Sequence, residues 1–411
     1  GYSSAASDVY KRQVDYVDVL DAGDMKAAPI SDTVCWVSFD FSGRDLSGNI
    51  ILTRNADDAV LAGSFSKYTH YVPFYRYCGS ENSGLMEGTW LAMRRTLTLG
   101  DTYFRNNKDR LGITSPEVTL RYGSKIRLYM PSSVVGNGVE GTGGYEGQEG
   151  YSLSSKRPFI VTMEIRDTVS NPLEREGTDV DDFCELNGGL QIYSKGDDDT
   201  PATEVPEDPE DPEHPYNETS KRWVSACDSI PQVYVNVRYN PAEPGDQLSF
   251  PAPYHVGYEP YVSEASVRDI DMQIAEALKK RFHGEGDDYE KYEGVKKLEA
   301  DSVTLEGTAK IWYIGRFLDG FIFDTNIDEV KKIIYGEVAQ TGTALEYTPS
   351  SGGMIQAFYY AIPNLKFGQW AELITTSTNA YGSSGKSGSS SSSTSGSVSY
   401  THLTLPTNSL V

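Results

Sequence analysis

Cysteines and histidines are the residue types here that could bind a metal ion or carry redox chemistry, and their spacing disfavours both. The four cysteines are Cys35, Cys78, Cys184 and Cys227. They are far apart and form no CxxC pair, so neither a zinc site nor a redox motif is expected. The histidines are equally scattered along the chain. We therefore predict no metal and no cofactor, and we expect the cysteines to be structural, whether paired or free.

Two glycine motifs resemble nucleotide-binding loops but lack the context that such loops need. The run from Gly136 to Gly141 spells GxGxxG, yet the sequence TGGYEGQEG that follows it cannot begin the helix of a dinucleotide site. The run from Gly385 to Ser387 matches the end of a P-loop, but Ala380 stands where the first glycine must be. Neither motif is predicted to bind a nucleotide.

One segment, Ala309 to Asp324, combines polar and aromatic residues at a regular spacing. Its sequence, AKIWYIGRFLDGFIFD, contains two runs rich in aromatic and β-branched residues, and the dipeptide Asp319-Gly320 separates them. Such a dipeptide tolerates positive φ, so the segment is predicted to form a β-hairpin. Tyr313, Gly315 and the pair Phe323-Asp324 are the positions of interest in it.

This hairpin resembles the strand-turn-strand signature of FKBP-type peptidyl-prolyl isomerases, which has a tyrosine, a glycine, an acidic-glycine turn and a Phe-Asp pair. Three further segments follow in the order of that family. Met354 to Ile362 resembles its single helix, and Leu365 to Leu373 and then Asn379 to Gly382 resemble the segments after it. The resemblance covers about Leu305 to Gly388, and it lacks the family's last strand.

The resemblance implies an apolar pocket for a prolyl ring. The catalytic residues would be Tyr313, Phe323, Asp324 and Tyr381, and the substrate-binding residues would be Leu345, Met354, Ile355 and Phe358. Phe358 stands where the family usually has a tryptophan. By analogy with the family, the Tyr381 hydroxyl would hold the peptide carbonyl and the Asp324 carboxylate would polarise the pocket wall.

The implied chemistry is rotation about an X-Pro amide, whose barrier is roughly 18–20 kcal/mol. It needs no nucleophile, metal or cofactor. Twisting the bond breaks amide resonance and shrinks the carbonyl dipole, so a dry aromatic pocket favours the twisted state. The alternative reading is purely structural: the rings are core residues, Asp324 caps a turn, and Tyr381 is a strand-end aromatic.

The first part of the chain resembles a degenerate copy of the same fold. The segment Trp36 to Leu52 keeps a phenylalanine and two glycines at corresponding positions. These are Phe41, Gly43 and Gly48. The pair Ile51-Leu52 replaces the Phe-Asp pair, and Val135 takes the place of the pocket tyrosine. Arg157 to Ile165 resembles the final strand of the family. A copy without the polar pocket groups is predicted to scaffold or to bind weakly.

We therefore predict an α+β protein with two FKBP-like domains, each a twisted antiparallel sheet wrapped on a short helix, and an acidic linker or insertion between them. The boundaries are 14–175 for the degenerate domain, 176–222 for the linker or insertion, 223–304 for a connector of strand and helix, and 305–397 for the truncated domain. In the linker, the run EVPEDPEDPEHP cannot form a core. In the connector, Ile270, Ile274 and Leu278 predict an amphipathic helix over Ser266 to Phe282 that packs on a domain.

Both ends of the chain are predicted to be foreign. Ser3 to Gln13 reads as a translated transposase sequencing adapter, and Val398 to Thr407 reads as the same adapter translated from the opposite strand. Residues 1–13 and 398–411 are therefore treated as artefacts. An export signal or a lipoprotein cysteine would have been lost with the native terminus. Without its last strand, the second sheet is expected to expose an unpaired edge.

Charge and composition restrict the partners. A formal net charge of −23 disfavours nucleic acid and anionic membranes, and no apolar run approaches the roughly 20 residues that span a bilayer. The expected partners are prolyl peptides or unfolded exported proteins. A triplet of Asp, Ser or Thr, and an apolar residue resembles an O-glycosylation signal of exported Bacteroidetes proteins, and it begins at Asp32, Asp167, Asp228 and Asp301. The expected location is the periplasm or the outer-membrane-associated envelope.

The leading hypothesis is a peptidyl-prolyl isomerase that acts on X-Pro bonds of exported proteins, in a folding or chaperone role. The first alternative is a non-catalytic FKBP-like protein that binds peptides or has a structural role in the envelope. The second alternative is an adhesin-like surface component, which the strand-rich sequence with 28 tyrosines also fits. The sequence carries no signal for the oligomeric state.

Overall fold

A computed structural model describes twelve stretches of the chain, which belong to two compact units. They are residues 17–66, 69–73, 75–81, 85–131, 158–191, 223–226, 230, 232–239, 248–256, 262–282, 303–382 and 399–404. The first unit extends to Pro172, and the second contains Leu173 onward, including residues 399–404. Within these stretches, no helix has the length and apolar character needed to cross a membrane.

The first unit is built on an antiparallel sheet. Its strands are β1 Val17–Ala22, β2 Trp36–Arg44, β3 Ile50–Thr53, β4 Tyr75–Tyr77, β7 Ser124–Met130 and β8 Phe159–Val169. A separate ribbon has β5 Thr96–Thr98 and β6 Glu117–Thr119, and the helices are α1 Ala56–Leu61, α2 Glu87–Met93 and α3 Asp101–Leu111. The strand order is β1-β7-β8-β2-β3, with β4 paired to β2.

One face of this first sheet carries the core. Along β7, buried residues alternate with residues that are exposed or half-buried, which is the pattern of a sheet covered on one side. Phe41, Ile126 and Met163 from the strands pack in one apolar cluster with Met93 of α2. The resemblance of residues 157–165 to a final strand agrees with β8, which lies between β7 and β2.

The second unit has a larger sheet. Its strands are β9 Leu190–Gln191, β10 Trp223–Ser225, β11 Val233–Tyr239, β12 Ala309–Phe317, β13 Ile322–Thr325, β14 Leu345–Tyr347, β15 Trp370–Thr375 and β16 Ser399–Thr404. Its helices are α4 Pro172–Leu186, α5 Glu264–Phe282, α6 Asp328–Tyr335 and α7 Gln356–Ala361. The order is β13-β12-β16-β15-β11-β10-β9, with β14 paired to β12. Together with the first sheet, this confirms the predicted α+β class.

The middle of the second sheet repeats the strand order of the first. The series β3-β2-β8-β7-β1 corresponds to β13-β12-β16-β15-β11, and β4 and β14 occupy equivalent side positions. In both hairpins the pairing register shifts immediately after a glycine, Gly43 in one and Gly315 in the other. The two hairpins therefore share a backbone irregularity at the glycine that the sequence comparison aligned.

The prediction of an unpaired edge in the second sheet is wrong. Strand β16 lies between β12 and β15 and pairs antiparallel with both. It comes from the segment that we read as adapter. Backbone groups form the ladder, and the sequence SYTHLT contains tyrosine and threonine residues that favour strands.

The predicted linker and connector are also corrected in part. Residues 176–191 lie in α4 and β9, and residues 223–239 supply β10 and β11, so these stretches belong to the second unit. The prediction gave most weight to acidic residues and overlooked the apolar face of α4. Val180, Phe183 and Cys184 on that face pack with Trp223 and Ile374. The acidic run within 196–215 lies outside the described residues.

The second sheet is covered on both faces, which differs from the prediction of a sheet on one short helix. Helix α7 packs on one face through Phe358, in a cluster with Ile311 and Leu373. The helix predicted over Ser266 to Phe282 is α5, and it covers the other face, where Ile274 lies in a cluster with Trp370. All six residues of β15 are consequently buried.

Helix α5 departs from the predicted pattern at one position. Ile274 and Leu278 are fully buried, but Ile270 is 36% exposed. The buried residue of that turn is Asp271, which is hydrogen-bonded to Arg316 of β12. The helix therefore contributes a carboxylate as well as an apolar stripe to its interface with the sheet.

A second buried ion pair lies on the same side of the sheet. Arg238 of β11 donates to Glu372 of β15 at 2.5 Å from Nε to Oε2, and the Glu372 side chain has no exposed surface. Burial raises the pKa of Glu372 to about 7, against the attraction of Arg238 and Arg316. The negative charge of Asp271 raises this pKa further. Desolvation is thus the stronger effect at this carboxyl.

This raised pKa predicts that stability falls between about pH 4.5 and pH 7. Glu372 in the unfolded chain releases its proton near its ordinary pKa of 4.5, whereas the folded protein retains the proton until about pH 7. The folded state binds more protons in this window, so its stability decreases as pH rises, by about 1–3 kcal/mol. Urea unfolding at pH 5 and pH 7.5 measures this change. The variant Glu372→Gln should show a smaller decrease, and an equal decrease would contradict the assignment.

The three cysteines among the described residues are buried thiols. Cys35 and Cys78 lie together in the first unit, where the Cys78 N–H donates to the Cys35 carbonyl at 2.6 Å. Cys184 belongs to the core beneath α4. Burial raises the pKa of Cys78 to about 12, so this thiol is protonated at neutral pH. Cys227 lies outside the described residues.

Candidate functional site

The β12–β13 hairpin carries the first part of the candidate site. Gly320 has φ +89° in its turn, a conformation that side chains of L-residues rarely adopt. The Gly320 N–H donates to the Phe317 carbonyl at 2.9 Å, and the Asp319 carboxylate accepts from the Phe321 N–H at 3.0 Å. The Asp-Gly dipeptide therefore closes the turn as the sequence predicts.

A β-bulge follows the turn and aims two adjacent side chains at the same region. Gly315 pairs with Asp324 and Arg316 pairs with Ile322, so Phe323 is the extra residue on β13. In a regular strand, neighbouring side chains point to opposite faces. The bulge breaks that alternation. As a result, both Phe323 and Asp324 contact residues of β12.

The Phe323 ring lies against Gly315. A Cβ added to Gly315 would be 2.7 Å from Cε2 and 2.9 Å from Cζ of Phe323. These distances are too short for any side chain, so the ring requires glycine at this position. Phe323 also contacts the ring of Phe317, with centroids 4.7 Å apart. The glycine of the sequence signature thus has a packing role.

This contact predicts that Gly315→Ala will displace the Phe323 ring and reduce the prolyl-isomerase activity that the sequence resemblance implies. We expect a loss on the order of tenfold, because small displacements of site groups cost at least that much. The matched control is Gly43→Ala in the first unit, where a Cβ would be 2.0 Å from Cζ of Phe159. It should destabilise the first unit and leave the activity unchanged. Equal losses in the two variants would contradict this placement of the site.

Tyr313 and Asp324 are joined directly. The Tyr313 hydroxyl donates to Oδ2 of Asp324 at 2.9 Å. Burial, and to a lesser extent Tyr381, raises the pKa of Tyr313, so its hydroxyl is protonated at neutral pH. Thr325 donates to the Tyr313 carbonyl at 2.8 Å, and the Tyr313 N–H donates to Asn326 at 2.8 Å. Both the N–H and the carbonyl of Tyr313 are therefore fixed by side-chain hydrogen bonds.

Tyr381 approaches the hairpin from a different segment. Its ring stands edge-on to Phe323, with centroids 6.1 Å apart and planes at 86°. Burial raises the pKa of Tyr381 to about 12, so this hydroxyl is also a donor at neutral pH. Tyr313, Phe323 and Tyr381 are each half-buried. The structure brings together the four residues predicted to be catalytic.

Three of the four predicted substrate-binding residues belong to the adjoining apolar cluster. Phe358 of α7 is 3% exposed and meets Tyr347 edge-on, with centroids 5.8 Å apart. Leu345 and Ile355 are half-buried and pack against the same cluster, as does Tyr313. Met354 is 41% exposed and is not part of this cluster.

The corresponding region of the first unit has a different composition. The bulged residue is Ile51, because Gly43 pairs with Leu52 and Arg44 pairs with Ile50. The space above Gly43 holds Phe159 of β8 instead of a ring from its own hairpin. The hairpin therefore has the bulge but neither the phenylalanine nor the carboxylate. Val135, predicted at the tyrosine position, lies outside the described residues.

Sequence reasoning missed residues that hold the site in place. Asn326 accepts from the Tyr313 N–H and donates to the carbonyls of Ile311 and Thr343, at 2.9 and 3.0 Å. Its position directly after the Phe-Asp-Thr run was the one available signal. Another residue that sequence reasoning missed is Glu176 of α4, which accepts hydrogen bonds from the N–H and the hydroxyl of Ser377; no local pattern marks it. In the described part of the chain, no three His, Cys, Asp or Glu side chains are grouped as metal ligands would be.

No protein-family model matches this sequence, and no curated protein matches it. Among solved structures, the chain is similar to the three FKBP domains of wheat FKBP73, with 11% identity and a TM-score of 0.23 over 95% of this chain and 92% of that one. It is similar to a peptidyl-prolyl cis-trans isomerase from Pseudomonas syringae pv. tomato, with 21% identity and a TM-score of 0.19.

It is also similar to FkpA from Escherichia coli, again with 21% identity and a TM-score of 0.19. Both bacterial matches cover 26% of this chain, and the chain spans 65% of the first structure and 44% of the second. Structures of FKBP domains and of a prolyl isomerase are thus among those to which this chain is similar.

Proposed function

We propose that the second unit binds prolyl peptides and catalyses cis–trans isomerisation of X-Pro bonds, as an FKBP-type peptidyl-prolyl isomerase. Two contacts carry this proposal: the hydrogen bond from Tyr313 to Asp324 and the edge-on ring contact between Phe323 and Tyr381. The repeated strand order of the two sheets supports the further proposal that the chain contains two FKBP-like domains. On this view, the first unit is the degenerate copy.

The proposed mechanism is non-covalent. A prolyl ring would lie among the half-buried rings of Tyr313, Phe323 and Tyr381, of which Tyr313 packs against the cluster that contains the buried Phe358. Removal of water from the amide favours the twisted geometry, because its carbonyl dipole is smaller and loses less hydration. A hydroxyl donor such as Tyr381 would hold the peptide carbonyl. Each tenfold acceleration requires only about 1.4 kcal/mol of this differential stabilisation.

The hydrogen bond of Tyr313 to Asp324 has a part in this scheme. A carboxylate near an apolar site is costly unless it is hydrogen-bonded, and the Tyr313 hydroxyl supplies such a bond at 2.9 Å. The bond also fixes the Tyr313 ring at the border of the apolar cluster that contains Phe358. We infer that Asp324 sets the polarity of the site wall and does not transfer a proton.

The experiment that tests this function is a cis–trans isomerisation assay on the full chain with a short X-Pro peptide. We expect a rate above the uncatalysed one that is proportional to protein concentration. If micromolar protein does not accelerate isomerisation of the peptide, the hypothesis that the protein is an enzyme is ruled out. Retained binding of the same peptide in that case would favour the non-catalytic peptide-binding alternative, and absence of binding would remove that as well.

We further propose that the clients are exported proteins and that the protein acts in the cell envelope. The support for this proposal comes from the glycosylation-like triplets, such as those that begin at Asp32 and Asp167. Expression of the uninterrupted gene in its own host, followed by fractionation and glycan staining, tests this proposal. Recovery of the unmodified protein from the cytoplasm would contradict it.

A further inference from the structure

Glu176 is a buried carboxylate that the proposed mechanism does not use. It lies on α4 and is 4% exposed. One of its oxygens, Oε2, accepts from the Ser377 N–H at 2.9 Å and from the Ser377 hydroxyl at 2.7 Å. Burial raises the pKa of Glu176, and these two hydrogen bonds oppose that rise. A polar group is rarely buried so far without a structural purpose.

The partner of Glu176 begins the turn that leads to Tyr381. Ser377 is the first residue of a 3-10 turn, Ser377–Asn379, that follows β15. Its carbonyl accepts from the Ala380 N–H at 3.0 Å. Tyr381 comes directly after Ala380, and its ring meets Phe323. A continuous series of hydrogen bonds thus connects Glu176 to the residue before the site tyrosine.

Helix α4 is a firm base for this anchor. Val180 and Phe183 are buried in a cluster with Trp223 and with Ile374 of β15. The strand that enters the turn and the helix that holds the turn therefore share one core. Ser377 itself is 4% exposed, so water does not replace a lost acceptor easily.

We propose that Glu176 is a positioning residue for the isomerase site and sets the place of Tyr381 through Ser377. This inference rests on the proposed function of the second unit. Glu176 does not touch the substrate. Its role is to fix the loop that carries Tyr381, the tyrosine that would hold the peptide carbonyl. Glu176 does so from α4, a helix that lies outside the segments resembling the FKBP family.

Three variants separate positioning from general stability. Glu176→Gln keeps an oxygen that accepts both bonds from Ser377 and should retain kcat/KM. Glu176→Leu removes the acceptor and should lower kcat/KM by on the order of tenfold to a hundredfold, with the larger part in kcat. Val180→Ala is the matched control, because Val180 is fully buried on the same helix and its side chain offers no hydrogen-bond acceptor to Ser377. It should lower Tm while kcat/KM stays within about twofold.

A second readout does not depend on enzyme activity. Fluorotyrosine incorporation gives a ¹⁹F resonance for Tyr381, assigned by its absence in Tyr381→Phe. Glu176→Leu should shift this resonance, and Glu176→Gln and Val180→Ala should not. A Glu176→Leu resonance at the wild-type position would overturn the inference, as would equal losses of kcat/KM in Glu176→Leu and Val180→Ala. If the resonance moves but the wild type is inactive, the positioning role stands and the proposed function fails.

Discussion

Replacing Phe323 by alanine should reduce kcat/KM for prolyl-peptide isomerisation by about 30- to 100-fold, which corresponds to a loss of about 2–3 kcal/mol at a central binding residue. Phe323 contacts both Phe317 and Tyr381, and its ring covers Gly315. Its removal takes one wall from the proposed site and removes the edge-on ring contact with Tyr381. The protease-coupled isomerisation assay measures the effect.

The control for this variant is Tyr359→Ala. Tyr359 lies on α7 in the same unit, is 41% exposed, and its ring meets the ring of Tyr360 edge-on. It should retain kcat/KM within about twofold. Thermal unfolding of both variants checks that each is folded at the assay temperature. A Phe323→Ala protein with the activity of the wild type would show that the reaction takes place elsewhere.

The largest effect on stability is expected from Glu372→Leu. Above about pH 7, where Glu372 is ionised, this substitution leaves the buried Arg238 guanidinium without its carboxylate, and such a loss costs about 3–5 kcal/mol. Arg238 keeps a bond to the Asn187 carbonyl at 3.0 Å and lies 5.4 Å from the centre of the Trp223 ring, and neither contact neutralises its charge. Denaturant unfolding followed by tryptophan fluorescence measures the loss.

Replacing both members of the pair should be far less harmful. In the double variant Arg238→Leu with Glu372→Leu, no buried charge remains at this position, so we expect most of the stability to return. Glu346→Leu is the exposed control, because its pair with Lys310 spans 3.9 Å and both side chains are exposed. It should change stability by less than about 1 kcal/mol. A double variant as unstable as Glu372→Leu would contradict the account of this pair.

The hairpin of the second unit could be predicted because its information is local. The Asp-Gly turn, the aromatic and β-branched runs and the following Phe-Asp pair lie within Ala309 to Asp324, and the structure forms a hairpin there. The same reasoning identified Ile51-Leu52 as the counterpart in the first unit, where the pairing of Gly43 with Leu52 agrees. Turn chemistry and strand patterning suffice for such elements.

The second layer on the sheet could not be predicted in this way. Acidic residues surround the apolar side chains of α4 in the sequence, so this segment was predicted to be part of a linker. Nevertheless, Val180, Phe183 and Cys184 follow helical spacing. The partners of Arg238 and Arg316 are distant in sequence, and nothing local marks Glu372 or Asp271 as buried. Long-range charge pairs depend on the assembled fold, and so does the anchoring of Ser377 by Glu176.

The most direct test of the proposed site is a search for intermolecular NOEs between a short X-Pro peptide and the full chain. The account predicts contacts from the proline ring protons to the aromatic protons of Tyr313, Phe323 and Tyr381, which the structure places together. Peptide bound without contacts to any of these rings, or no binding at millimolar peptide, would contradict it.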